Sequence, residues 1–238
     1  MNFSSWDVQG IAISDFFAGN LEAELLVESD CAGIEKMPVE IFFRTYAQLP
    51  DLERYALSLC QGMVLDIGAG AGSHGLILQE QGIEVCAIDI SPFSVVVMQQ
   101  RGIKNAFCAD IREFQATPFD TILMLMNGIG LAGDLEGLDL FLQDIKRLVK
   151  PDGQILLDST DLSYLRDQPG ANHEHVLQKG PGYGKIEYRL EYKGVKGPPF
   201  NWLFVDQDTL REYAERANWG LQVIFEEDSQ YLARLIPG

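Results

Sequence analysis

The chain has 238 residues, of which 47% are hydrophobic and 22% are charged, the balance of a globular protein that folds around a core. Its length predicts one well-buried α/β domain with a cap or a long insertion, and is short for two domains of ordinary size. The 18 Lys and Arg residues stand against 35 Asp and Glu residues, and the formal net charge of −17 disfavours nucleic-acid and anionic-lipid partners because such a surface repels phosphate.

The first 60 residues carry the weakest pattern of the chain. Residues 37–60 look helical with a break at Pro50, because proline cannot continue a helix. Nothing before them resembles an independent domain. We therefore expect an N-terminal helical cap segment, residues 1–60, followed by the main domain, residues 61–238.

From Met63 onward, short apolar runs alternate with amphipathic stretches, the pattern that builds parallel sheets from βαβ units. Five strands are predicted at Met63–Ile67, Glu84–Asp89, Asn105–Ala109, Phe119–Met126 and Gln154–Asp158. The helices between them are predicted at Ser73–Gln81, from the N-cap hydroxyl of Ser91 to Gly102, and over 138–148. These units predict a doubly wound, mostly parallel sheet with helices on both faces, whose ligands bind at the carboxyl ends of the strands.

The C-terminal third changes to antiparallel patterns. The side chains of Lys185–Lys193 alternate, and together with Phe200–Val205 they predict an inserted β-hairpin within an insertion at about 160–205. The chain then closes with a helix and a second hairpin, predicted at Asp208–Ala217, Leu221–Glu226 and Gln230–Ile236.

A glycine-rich turn, Asp66-Ile67-Gly68-Ala69-Gly70-Ala71-Gly72, overlaps the end of the first predicted strand. Residues without a Cβ let the backbone pass close beneath a ligand, while amide groups at the start of the next helix face that ligand. Gly70, Gly72 and Gly75 also fit the G-x-G-x-x-G spacing of dinucleotide-binding proteins. The turn alone therefore leaves a nicotinamide-dependent oxidoreductase open.

Carboxylates at the ends of three consecutive strands help to decide between a dinucleotide cofactor and another nucleoside-containing ligand. Asp66 carries a negative charge that suits an aminoacyl and sulfonium ligand and repels a pyrophosphate. Asp89 can accept hydrogen bonds from both ribose hydroxyls, which fits NAD equally well. After the third strand, Ala109-Asp110-Ile111 offers a carboxylate for an adenine amino group and backbone for the ring. The three together favour S-adenosylmethionine (SAM).

With these motifs the sequence resembles the class I SAM-dependent methyltransferases of the small-molecule type, over about Met37–Asp158. The matching segments are Val64–Gly72, Ala87–Ser91, Ala109–Ile111 and Leu148–Gln154. The resemblance implies that the glycine turn lies under the methionine moiety, that Asp89 holds the ribose, that Ile90 packs on adenine and that Asp110 contacts its amino group. It also implies a Rossmann-like, seven-stranded sheet whose last strand is antiparallel.

A short aromatic segment, Phe42-Phe43-Arg44-Thr45-Tyr46, precedes the glycine turn by about 20 residues. In similar small-molecule methyltransferases an N-terminal helix closes over the cofactor at that distance. Arg44 is then expected to pair with the methionine carboxylate, and Tyr46 to hydrogen-bond to it. An exposed arginine beside a core aromatic residue is an equally open interpretation.

The fourth predicted strand runs into Met126-Asn127-Gly128-Ile129-Gly130. Amino-methylating nucleic-acid enzymes of this class have Asn or Asp followed by Pro-Pro and an aromatic residue at this place. Here the prolines and the aromatic residue are absent, which together with the net charge argues against nucleobase methylation. Met126 and Asn127 are expected to line the cofactor and methyl-transfer site; the alternative is an asparagine that only tolerates a tight turn.

The sequence identifies no catalytic residue. SAM is already activated, so the protein chiefly has to align the acceptor and exclude water. Asn127, Asp158 and Tyr192 are candidates by position alone. The resemblance implies in-line transfer of the methyl group to a small-molecule acceptor, with S-adenosylhomocysteine as the product. We expect the cap segment and the insertion from Thr160 to Phe200 to form the acceptor pocket.

Two functions from other classes stay open on the sequence. One is an NAD-dependent oxidoreductase, and the other is a non-catalytic SAM-binding protein that acts through a partner. A metal site at His173 and His175, which flank Glu174, is not expected because no distant partner is identifiable. Alternating aromatic residues in the inserted hairpin indicate either packing or a substrate pocket, and these are Tyr183, Tyr188 and Tyr192.

The four cysteines and the lack of long apolar segments indicate the cellular compartment of the protein. Cys31, Cys60, Cys86 and Cys108 show no paired metal-ligand spacing, which predicts free thiols. The N-terminus lacks a basic region followed by an apolar run, and no segment approaches the roughly 18 apolar residues that a membrane helix needs. We therefore expect a cytoplasmic protein without a membrane partner.

Overall fold

The computed structural model describes residues 4–167, 173–180 and 182–238, so that residues 168–172 and 181 of the predicted insertion lie outside the described residues. The helices are Ser5–Phe17 (α1), Asp51–Ser58 (α2), Ser73–Glu80 (α3), Pro92–Arg101 (α4), Leu135–Asp144 (α5), Glu174–Leu177 (α6) and Gln207–Arg216 (α7). The strands are Glu24–Ser29 (β1), Gly33–Pro38 (β2), Met63–Ile67 (β3), Glu84–Asp89 (β4), Asn105–Cys108 (β5), Phe119–Met124 (β6), Val149–Thr160 (β7), Lys185–Tyr192 (β8), Val195–Lys196 (β9), Phe200–Leu203 (β10), Trp219–Glu227 (β11) and Gln230–Pro237 (β12).

The larger sheet has seven strands in the order β11-β12-β7-β6-β3-β4-β5. Strand β4 is parallel to β3 and to β5, and β6 is parallel to β7. Strand β12 pairs antiparallel with β7 and with β11. The predicted doubly wound, mostly parallel sheet with an antiparallel last strand is confirmed.

The described residues form two compact units. The first unit, which carries β3, β4 and β5, holds the described residues up to Pro50, Met63–Phe114 and Glu187–Phe200. The second unit, which carries β6, β7, β11 and β12, holds Asp51–Gly62, the described residues of Gln115–Ile186, and Asn201–Gly238. Among the described residues no helix is both long enough and apolar enough to cross a membrane.

The N-terminal part of the first unit differs from its prediction. Residues 37–60 were expected to be helical, but β2 ends at Pro38 and 3-10 turns follow at Val39–Phe43 and Tyr46–Gln48, so that of this stretch only Asp51–Ser58 is α-helical. Pro38 has an extended backbone, and short 3-10 turns have no long helical period to detect. Helix α1 and β1 build the core here, with Val8, Ala12, Ile13, Leu25, Val39 and Leu190.

The two predicted strands of the inserted hairpin, β8 and β10, are neighbours in the smaller sheet, and β8 makes further pairings that were not predicted. Strand β8 turns back through Lys193 and Gly194, both with positive φ, and pairs with the short strand β9 so that Tyr192 lies opposite Val195. A two-residue turn of this kind matches the twist of the strands. Strand β8 also pairs antiparallel with β1, and the smaller sheet has the order β10-β8-β1-β2 with β9 at its side.

The predicted strands and helices of the second unit are confirmed with different ends. Strand β6 stops at Met124, because the left-handed backbone of Met126 and Asn127 interrupts it. Helix α5 begins after Asp134, whose side chain accepts the backbone N–H of Gly137. Strand β7 is longer than the predicted Gln154–Asp158 at both ends.

Candidate cofactor site

The glycine turn of the first unit folds back onto the end of β4. The N–H groups of Gly68 and Ala69 both donate to the Ile88 carbonyl, at 2.9 and 3.0 Å. Gly68 and Gly70 have φ of +69° and +57°, a backbone that glycine adopts without a steric penalty. A Cβ added at Gly68 would meet nothing within 4 Å. Gly68 therefore lies beneath open space, which is the geometry that a ligand above the turn requires.

Asp89, at the end of β4, binds this turn directly. Its Oδ2 accepts the N–H of Gly70 at 2.9 Å, and its Oδ1 accepts the N–H of Ser91 at 2.8 Å. Burial raises the pKa of the Asp89 carboxyl to about 6, although the two N–H groups act in the opposite direction. The Ser91 hydroxyl was expected to cap α4 but makes no capping bond.

Asp66, near the end of β3, lies beneath the start of α3. It is 2% exposed, and a Cβ on Gly75 would lie 3.6 Å from its Oδ2. Burial raises the pKa of Asp66, while His74 and the Gly75 N–H lower it. Among the described residues Oδ2 has no hydrogen-bond partner. The turn thus contains one buried carboxylate oxygen that is able to accept a further hydrogen bond.

Apolar side chains are exposed after β4 and in β5. Ile90 is 43% exposed and Phe107 is 49% exposed, which is unusual for large apolar residues next to a sheet. The N–H of Ala109 donates to the Asp89 carbonyl at 3.0 Å and so keeps the end of β5 beside β4, while Ile111 is buried. Ile90 was predicted as an adenine contact, whereas no sequence pattern drew attention to Phe107.

Asp110, the predicted partner of the adenine amino group, is held by a residue close to it in sequence. Arg112 donates through Nε to Oδ1 at 3.0 Å and to Oδ2 at 3.1 Å. The hydrogen bond from Arg112 lowers the pKa of Asp110. A carboxylate has about four acceptor positions, so this pairing leaves room for another donor. The arginine two residues later in the sequence was the available sign of this pairing.

Arg44 and Tyr46 do not lie on an α-helix. Arg44 follows a 3-10 turn and donates through Nε to the Ile41 carbonyl at 2.9 Å, while Tyr46 begins the next 3-10 turn and is 46% exposed. Phe42, two residues before Arg44, approaches the glycine turn, because a Cβ on Gly70 would lie 3.4 Å from its ring. The structure therefore brings this segment to the turn through a residue to which the sequence assigned no role.

Asp158 holds a second turn, in the second unit. Its two oxygens accept the N–H of Asn127 at 2.8 and 2.9 Å. Met126 and Asn127 have φ of 63° and 57°. The Asn127 Nδ2 donates to the Leu203 carbonyl at 3.2 Å, and its buried Oδ1 has no partner among the described residues. Burial raises the pKa of Asp158 to about 6, and nearby Glu53 adds to that effect.

The histidines and tyrosines that the sequence singled out lie in different environments. His173 is buried with no partner for either ring nitrogen among the described residues, whereas His175 is exposed. The hydroxyl of Tyr183 donates to Asp206, and that of Tyr192 donates to Asp15 at 2.5 Å. Tyr183 and Tyr192 thus each have a carboxylate partner of their own.

The strand order defines an α/β protein with a doubly wound, mostly parallel sheet, and the turn bound by Asp89 lies after one of its central strands. A family model described as a methyltransferase domain matches residues 64–153. The SAM-dependent methyltransferase from Bacteroides fragilis, solved with S-adenosyl-L-homocysteine, is 43% identical, with 99% of this chain and 96% of that chain covered and a TM-score of 0.88. The chain belongs to the SAM-dependent methyltransferase family.

Two further matches cover less of the chain or are less similar to it. The cypemycin N-terminal methyltransferase from Streptomyces sp is 35% identical over 103 residues, so that the matched region spans 41% of this chain and 42% of that relative. The sugar N-methyltransferase KedS8 from Streptoalloteichus sp ATCC 53650 shares the fold at 13% identity and a TM-score of 0.56, with 78% of this chain and 85% of that chain covered. SAM is the cofactor of the family, which decides against the NAD-dependent alternative.

Proposed function

We propose that this protein transfers the methyl group of SAM to a small-molecule acceptor by in-line displacement at carbon. The observation that carries the proposal is the buried carboxylate of Asp89, which binds the N–H groups of Gly70 and Ser91 and retains acceptor positions for two ribose hydroxyls. When bound, SAM supplies an activated methyl group. The protein then has to bind SAM, orient the acceptor and exclude water from the site.

Three features of the first unit support its part of the cofactor site. The open space above Gly68 fits the methionine moiety, the exposed Ile90 fits the adenine ring, and the unpaired Oδ2 of Asp66 fits a hydrogen-bond donor. In this unit we assign the cofactor contacts to Asp66, Gly68, Ala69, Gly70, Asp89, Ile90, Ala109, Asp110, Ile111, Arg44 and Tyr46.

For the second unit we propose that Met126 and Asn127 line the methyl-transfer site. Non-glycine residues with left-handed backbone are concentrated at functional sites, where the surrounding structure holds them. The insertion at about 160–205 is proposed as the acceptor-binding part of the main domain. Its support is the hydrogen bond from Asn127 to Leu203, which connects this turn to the returning strand of the insertion.

A small acceptor is favoured over a nucleobase for two reasons. The net charge of −17 repels phosphate backbones, and the turn after β6 lacks the prolines and the aromatic residue of the nucleobase enzymes. We also propose a cytoplasmic location, which is supported by four cysteines that form no disulfide, since disulfides are rare in that compartment.

The test is turnover of SAM to S-adenosylhomocysteine, followed by mass spectrometry with a panel of acceptors. The panel contains amines, hydroxyl compounds and short peptides with a free N-terminus, the last because one relative is named an N-terminal methyltransferase. Acceptor-dependent formation of S-adenosylhomocysteine that disappears in Asp89→Ala is the expected result. SAM binding without turnover on any acceptor would favour a non-catalytic SAM-binding protein.

A further inference from the structure

Arg101, the last residue of α4, contacts three separate elements of the first unit. Its Nη1 donates to the Ala71 carbonyl of the glycine turn at 2.6 Å and to the Ser73 hydroxyl at the start of α3 at 3.2 Å. Its guanidinium carbon lies 4.8 Å from the centre of the Phe43 ring. One side chain thus joins the glycine turn, α3 and the 42–46 segment, which consists of Phe42 to Tyr46.

The 42–46 segment is bound to the same turn by further contacts. The Ser73 hydroxyl, which accepts from Arg101, donates in turn to the Phe42 carbonyl at 2.7 Å. Phe43 stacks on Phe16 of α1 with ring centres 4.6 Å apart. Its ring therefore contacts an aromatic side chain and a cation together. These contacts place the backbone just before Arg44 at the edge of the glycine turn.

The surroundings of Arg101 make its contacts strong. The side chain is half-buried, and burial lowers its pKa. The partners that the described residues supply are neutral: a carbonyl, a hydroxyl and an aromatic ring. A cation withdrawn from water depends on such groups for its stabilisation, because hydrogen bonds to charged groups and cation–π contacts strengthen as water is excluded.

We propose that Arg101 is a positioning residue for the cofactor: it fastens the 42–46 segment to the glycine turn so that Arg44 and Tyr46 are held at the site before SAM binds. This inference rests on the cofactor site proposed above. Because the ordering of the segment is completed in advance, SAM binding does not have to supply it. Loss of the guanidinium frees the segment, so that SAM dissociates faster.

The direct test is Arg101→Met, which keeps most of the apolar stem and removes the charged donors. We expect SAM and S-adenosylhomocysteine to bind about 10-fold more weakly, chiefly through a faster dissociation rate measured by stopped-flow fluorescence or surface plasmon resonance. Arg101→Lys keeps the charge but not the planar fork, and we expect partial rescue, to about 3-fold weaker binding.

A double-mutant cycle separates positioning from a general loss of stability. Phe43→Leu removes the ring that Arg101 contacts, so its effect on the dissociation rate of SAM is expected to overlap with that of Arg101→Met, and the double variant is expected to resemble either single variant. The matched control is Arg216→Met, because Arg216 ends α7 in the second unit and its guanidinium carbon lies 4.6 Å from the Tyr213 ring centre. SAM binding is expected to be unchanged in that variant.

The results that would overturn the role of Arg101 differ from those that would overturn the proposed function. A folded Arg101→Met variant with wild-type affinity and dissociation rate would overturn the inference, as would additive effects of Arg101→Met and Phe43→Leu. If Arg101→Met does not fold, the dissociation rates of Arg101→Lys and Phe43→Leu decide the question, and wild-type rates in both would overturn it. Failure of the wild-type protein itself to bind SAM would instead refute the proposed function.

Discussion

Two turns of this protein are each held by a buried carboxylate, and they differ in the residues that take the left-handed backbone. In the first unit Asp89 binds the N–H of Gly70, and glycine has no Cβ to oppose a positive φ. In the second unit Asp158 binds the N–H of Asn127, and both Met126 and Asn127 have positive φ. That backbone costs about 1–2 kcal/mol for each non-glycine residue.

The difference separates a turn that its own sequence favours from one that tertiary contacts impose. The glycine turn needs little help to adopt its shape. The turn at Asn127 is held by Asp158, by the Leu203 carbonyl and by close packing of Gly130 against Trp202. Strain of this kind persists where the surroundings over-determine the backbone. Substitutions are therefore expected to break the two turns in different ways.

The largest effect on stability is expected from Asp158→Ala. The free energy of unfolding should fall by about 3 kcal/mol, because the buried N–H groups of Asn127 and Gly128 lose their acceptor. Urea denaturation measures this loss. Asp158→Asn is the matched control, since it keeps one acceptor oxygen and should lose about half as much. Equal stability of the alanine variant and the wild type would show that the carboxylate does not hold the turn.

Asp89→Ala is expected to act on the cofactor. SAM should bind about 100-fold more weakly, because the variant loses charge-assisted hydrogen bonds to the ribose and the bond that fixes Gly70. Calorimetric titration measures the dissociation constant. Asp152→Ala, at an exposed position of the second unit, is the control and should bind SAM like the wild type. Unchanged binding in Asp89→Ala would remove Asp89 from the site.

Gly130→Ala tests the role of packing in the second turn. The added Cβ would lie 2.0 Å from Trp202 Nε1, so the variant should lose about 2 kcal/mol of stability through overpacking. Thermal unfolding is a suitable measurement. A smaller residue in place of Trp202 should make the alanine less costly. If the Gly130→Ala cost is the same with Trp202→Leu as with Trp202, packing is not its cause.

Because the pKa of Asp89 is raised, the stability of the free protein and its affinity for SAM are expected to change in opposite directions as pH rises. Its folded-state pKa of about 6 lies above the unfolded value, so this group makes the free protein less stable as pH rises from about 4 to 6. Ribose hydroxyls donate to the ionised form, so SAM affinity should weaken as pH falls below about 6, by up to about 10-fold per unit. Urea denaturation and SAM titration at several pH values across this range measure the two effects. Both pH dependences should vanish in Asp89→Asn.

Gly68→Ala is expected to have the smallest effect. A Cβ at Gly68 meets no neighbour within 4 Å, so the cost is conformational only, about 1 kcal/mol. Urea denaturation of the SAM-free protein measures it. A loss as large as that of Gly130→Ala would indicate that the glycine turn, too, is limited by packing.

The glycine turn was predictable from sequence, whereas the hydrogen bonds between Asn127 and Asp158 that hold the second turn were not. The glycine cluster and the carboxylates at Asp66 and Asp89 are local patterns, and strand periodicity placed β3 and β4 at their observed ends. Strand β2 is exposed at almost every residue, so no alternation marks it. The contact of Arg101 with Ala71 joins residues 30 positions apart, and only the folded chain brings them together.

Calorimetric titration of the wild-type protein with SAM, S-adenosylhomocysteine and NAD shows which cofactor the glycine turn serves. Binding of both adenosyl ligands and no heat with NAD is the predicted result. Binding of NAD with no response to SAM would refute SAM as the cofactor of this protein.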